Sequence, residues 1–173
     1  MIKYADETDK AYGLAGMAIS LLAWDAEDWL DAINIDAPAD SAMRMSADFY
    51  MTLAPRVGAK AVWEQASKRF RLTAAMTVAN IACREMALRH RSSLNGEIDS
   101  ELRSLLADEG ENLCGYDPDE VSRLYGQSLS YCLRLFAHPG VCQLADTLAS
   151  RLRSDRMLDA TDVFAILAPL NRM

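Results

Sequence analysis

With 173 residues, 51% of them hydrophobic, the chain has the length of one domain, and a domain of that length buries roughly 70% of its unfolded surface. A net charge of -7 argues against nucleic acid or anionic lipid as a general partner. Four cysteines, Cys83, Cys114, Cys132 and Cys142, form no CxxC pair and read as reduced thiols of a cytoplasmic protein, not as a disulfide framework.

The opening MIKYADETDK is acidic, unlike the basic leader of a secretory signal, so export is not expected. Residues 11–24 carry no charge but fall short of the roughly 20 apolar residues that cross a bilayer. They predict a buried helix that begins near Glu7. Ala15, Ala18, Leu22, Ala26, Trp29 and Ile33 keep one face apolar, so the helix is expected to run on to about Asn34, or to restart behind an Asp25/Asp28 cap. After the loop IDAPAD, residues 41–53 predict a short helix.

The longest helix, about residues 58–91, ends at SSLNG, where Asn95 and Gly96 suit a tight bend. Residues 97–109 predict the next. In DPDE, Asp117 is a ready N-cap, Pro118 fits the first helical position, and Asp119 and Glu120 face the positive end of the dipole. That helix reaches about Ala137. Another starts at His138-Pro139 and ends near Ser154, and residues 159–167 close the chain behind an Asp159/Asp162 cap. The five prolines all fall at breaks in the pattern, and no sustained alternation of period two points to strands. The fold class is all-α: a single domain, residues 1–173, made as a bundle of six or seven helices around the long central one.

Charge is unevenly spread. Residues 1–55 carry ten acids and three bases, residues 56–95 two acids and eight bases, and residues 96–173 thirteen and seven. The long helix is basic at both ends, through Arg56, Lys60, Lys68, Arg69 and Arg71, then Arg84, Arg89 and Arg91. An acidic bundle wrapped round its own basic helix accounts for this, each surface pair contributing at most about 1 kcal/mol. A phosphate-binding helix is the sharper alternative.

Within that helix, residues 72–83 have no charge at all and must be covered on nearly every side. Thr73, Thr77 and Asn80 share a face there, extended by Arg69 and Arg84. Such a polar seam needs partners, because an unsatisfied buried group costs about 1–3 kcal/mol. It can meet its own turn and a neighbouring helix, or line a pocket for a small polar or anionic ligand with an arginine as counter-charge.

Metal and thiol chemistry is thinly supplied. Cys132, His138 and Cys142 offer half a zinc site, and His138 with Cys142 could form a nucleophile–base pair, but no third group orients them. No cofactor motif or hydrolase signature is present. Residues 141–153 and 159–167 have the size of a helix-turn-helix, yet the second is acidic and would repel phosphates. Trp24, Trp29 and Trp63, with Met43, Met45 and Met51, could cover a partner, although such spacing also suits a core. The leading expectation is a non-catalytic protein-interaction module or homo-oligomer. The second is a binder of a small polar or anionic ligand at the seam, and the third a Cys/His metal protein or thiol enzyme.

Overall fold

The structure is a computed structural model and describes residues 3–50 and 58–172. Among these residues the protein has seven α-helices and one three-stranded sheet. The distal part of the expected 41–53 helix, with Met51, and also Pro55 and Arg56, lies outside the described residues.

Helix α1, Glu7–Ala23, starts at Asp6, whose carboxylate accepts from the Asp9 backbone N–H at 2.8 Å. It does not run on to Asn34. The Trp24 N–H closes the last turn on Ser20 and Leu21, and Asp25 then takes a left-handed φ of 50°, which turns the chain out of the helix. A single 3-10 turn, Glu27–Trp29, leads from there into strand β1, Leu30–Asn34. Of the apolar positions that suggested a continuing helix, Ala26 and Trp29 fall at the 3-10 turn and Ile33 in the strand, where Leu30 and Ala32 are buried with it and Asp31 points to solvent.

Part of the expected 41–53 helix is likewise a strand. β2, Met43–Met45, buries both methionines and exposes Arg44, and a four-residue helix α2, Ala47–Tyr50, comes after it. The third strand, β3, Met157–Asp159, precedes the last helix. All pairings are antiparallel in the order β2-β1-β3, with Ile33 opposite Met43 on one side and Leu158 on the other.

The long central helix is present. α3 spans Ala59–Cys83 and continues as a π-helical turn, Arg84–Leu88, where the Arg89 N–H reaches back to the Arg84 carbonyl at 3.1 Å. His90, at φ 54°, ends it. α4 covers Gly96–Cys114, so Asn95-Gly96 is a helix entry and not a tight bend: the Asn95 side chain accepts from Ile98 N–H at 2.8 Å. At its other end Gly115 adopts φ 65°, and the Tyr116 N–H bonds back to the Gly110 carbonyl. α5, Pro118–Phe136, has the expected Asp117 N-cap, and Glu120 completes it as a capping box by accepting from the Asp117 N–H. α6, Pro139–Asp155, and α7, Ala160–Leu167, begin at His138 and Asp159 as expected.

α1 and α3 pack against each other, with α6 against α1, and α5 and α4 against α3. The two central helices approach closely because α1 carries glycine at two successive contact positions. A Cβ at Gly16 would lie 2.5 Å from the Ala79 carbonyl oxygen, and one at Gly13 would lie 2.8 Å from the Asn80 amide. Around them one cluster of buried apolar side chains runs from Ala11 to Leu167, and it includes Ile33, Met43 and Leu158 of the sheet. No helix among the described residues is long and apolar enough to cross a membrane.

Candidate functional site

All three tryptophans of the chain line one cleft of about 480 Å³. Trp24 comes from the C-cap of α1, Trp29 from the 3-10 turn just beyond, and Trp63 from the first half of α3. Each indole is braced by a second ring. Trp24 meets Tyr131 edge-on at 6.0 Å, Trp29 meets Phe49 at 5.4 Å, and Trp63 meets Tyr116 at 6.1 Å. Trp63 also donates its indole N–H to the Cys114 carbonyl at 3.0 Å, and the Tyr131 hydroxyl donates to the Ala23 carbonyl.

Although braced, the rings are not hidden: Trp24 is 40% and Trp63 48% exposed. Asp25, Asp28 and Glu64 stand at the cleft beside them, and Lys68 and Arg71 of α3 also line it. The Lys68 ammonium lies 4.8 Å from the centre of the Trp29 ring, so one indole face already holds a cation.

The expected polar seam does not form one surface. Arg69 donates to the Phe49 carbonyl at 3.2 Å and, with Thr73, lines a separate cleft beside Tyr50 and Leu113. Thr77 is half-buried on the same stripe as Thr73 and Ile81. Asn80 and Arg84 turn instead toward α1. Asn80 is fully buried and donates to the Tyr4 hydroxyl at 2.9 Å and to the Met17 sulfur, while its Oδ1 has no partner among the described residues. The residues do share one side of the helix, but Arg69 and Arg84 are about 22 Å apart along its axis, so the two ends of the row meet different neighbours.

Arg84 belongs to an ionic cluster that sequence reasoning did not find. Its Nε donates to Asp9 at 2.8 Å, and Nη2 donates both to Asp9 and to the Lys3 carbonyl. Arg89 reaches Asp9 at 2.7 Å and Glu85 at 3.0 Å, and Arg91 binds the other Glu85 oxygen. Asp9, Glu85 and Arg84 are all more than nine-tenths buried. Burial alone would raise the Asp9 pKa, but the bonds from Arg84 and from the Ala5 N–H outweigh it and hold the carboxyl below its ordinary range. Only the charge blocks of the sequence hinted at this: one N-terminal acid, Asp9, pairs with two arginines at the basic end of the central helix.

The weak metal candidates are not gathered into a site. His138 caps α6, its Nδ1 accepting from Gly140 N–H at 3.2 Å, while Cys132 is fully buried and the Cys142 thiol donates to the Phe136 carbonyl. Among the described residues no group of three or more His, Cys, Asp or Glu side chains could hold a metal ion. Burial raises all four thiol pKa values, that of Cys132 to about 12, so each stays protonated near neutrality. Compared with known proteins, the chain matches no family model, no curated protein and no solved structure.

Proposed function

We propose that the protein is a non-catalytic interaction module whose tryptophan cleft receives a basic side chain, lysine or arginine, from a segment of a partner protein. The observation that carries this reading is the convergence of Trp24, Trp29 and Trp63, from three places in the chain, on one cleft where three acids, Asp25, Asp28 and Glu64, outnumber two bases, Lys68 and Arg71, and where Lys68 already shows a cation over the Trp29 ring. Tryptophan dominates binding energy at protein interfaces, and rings already fixed by neighbours lose little freedom when a partner arrives. An indole face beside carboxylates suits a cation, contributing about 0.5–2 kcal/mol according to how far it is desolvated. The net charge of -7 would steer a basic partner toward the chain. A protonated Cys142 thiol bonded to the Phe136 carbonyl and a His138 that caps a helix leave this chain's own Cys/His pair poorly set for nucleophilic work.

Because every tryptophan lines the cleft, intrinsic fluorescence reports on it directly. Titration with short peptides that carry two or three Arg or Lys residues is expected to give a saturable change, which Glu-containing peptides of the same length do not. Trp63→Ala and Asp28→Asn should each weaken binding about fivefold to thirtyfold, the range of 1–2 kcal/mol. Equal response to acidic and basic peptides, or binding untouched by both substitutions, would remove the proposal.

A further inference from the structure

A second cleft, of about 400 Å³, lies between the end of α3 and the start of α4 and has a cationic end and an apolar wall. Lys3, Arg84 and Arg89 supply the cations. Ile81 from α3 and Ile98, Leu102 and Leu105 from α4 supply the wall. Two acids, Glu85 and Glu101, also line it, but both oxygens of Glu85 are already taken by Arg89 and Arg91.

The ionic cluster beside this cleft holds more positive than negative charge: among the described residues, Arg84, Arg89 and Arg91 pair with Asp9 and Glu85. Arg84, 8% exposed, engages Asp9 and Lys3 through Nε and Nη2, and its Nη1 takes no part in those bonds. Asp9 fills the Nε/Nη2 fork and fixes the guanidinium, which leaves Nη1 as the Arg84 donor for a further anion. The π-helical turn sets Arg84 and Arg89 at this site, and such turns recur where helices carry function. The volume falls in the range of small-molecule pockets, although five of the nine lining residues are charged, more than such pockets usually carry.

We infer that this cleft binds a small amphipathic anion: a single carboxylate or phosphate head on Arg84, Arg89 and Lys3, with an apolar body of modest length along Ile81, Ile98, Leu102 and Leu105. The inference is independent of the tryptophan cleft and stands or falls separately.

Isothermal titration of the full chain with decanoate and with decyl phosphate tests it, with decanol and decyltrimethylammonium as the uncharged and oppositely charged controls. One site per chain for at least one of the two anions, at least tenfold tighter than either control, is the expected result, and the tighter anion names the head group. Leu105→Glu, on the half-buried wall, should reduce anion affinity tenfold or more while the thermal midpoint stays within a few degrees. Lys3→Glu, whose exposed side chain carries no described packing, should weaken the anions and leave decanol unchanged. Absence of heat with both anions overturns the inference. So does decanol binding as well as decanoate, or anion binding that survives both substitutions in folded protein.

Discussion

Asp9 sits at 1% exposure with two guanidiniums on it, Arg84 and Arg89, and its removal would leave the buried Arg84 without its counter-charge and Arg89 with Glu85 alone. Asp9→Asn is therefore expected to cost about 3–5 kcal/mol, the range for breaking a buried pair by deleting one partner. Its pH signature is set by the direction of the shift. The folded-state pKa lies below the unfolded value near 3.8, so the stabilisation is present in full above the unfolded pKa and is lost as pH falls through the folded one. Urea midpoints measured from pH 6 down to pH 2.5 should drop steeply for the natural chain and less steeply for Asp9→Asn; parallel curves would rule out this carboxylate as an acid-sensitive element. Beyond the charge blocks, the sequence held no sign of this pairing. Arg84 stood out as the end of a polar seam, but its partner lies 75 residues away, and no local pattern pairs them.

At the level of elements, what the sequence revealed was local. The Asp117 box is an arrangement of four residues, complete in itself, and the helix it predicts is there with both reciprocal bonds. Asp117→Ala should accordingly cost about 1 kcal/mol, read from denaturant unfolding, with Asp117→Asn retaining most of the stability. Strands are different. β1 is five residues long and β2 and β3 three each, too short to build an alternation against the background of a helix-forming composition. Leu30 and Ile33 fit a helical stripe as well as a strand face. Only their pairing with Met45, Met43 and Leu158, set by the tertiary fold, decides between the two. The tryptophan cleft was half legible: the three residues were singled out, but that they meet depends on the turn at Asp25, which the continuing apolar stripe concealed.

Over the whole molecule, stability rests on the contact of α1 with α3. Gly16→Ala would force a methyl against the Ala79 backbone, which cannot move without shifting the central helix. A loss of about 1–3 kcal/mol is expected, the usual cost of overpacking, or more if the helices separate. Ala75→Asp should be harsher, because residue 75 has no exposure and an unpaired carboxylate there costs several kcal/mol out of a total of about 5–15. Ile81, half-buried on the edge of a cleft, should tolerate the same change better. If Ala75→Asp and Ile81→Asp melted alike in calorimetry, the central helix would not be covered more deeply at one face than at the other.

The sheet also sets an order for the chain as it is made. β1 is finished on one side as soon as residues 43–45 have been synthesised, whereas its other edge waits for residues 157–159. At about 5–20 residues per second, the interval before those last residues are translated is on the order of ten seconds. Whenever the short β1–β2 pair forms in that interval it presents an open strand edge, with the apolar Leu30, Ala32 and Ile33 in it, that another extended segment can join. Ribosome-bound chains stopped before residue 157 should be the form of this protein most prone to associate, and release of the full chain should end that exposure.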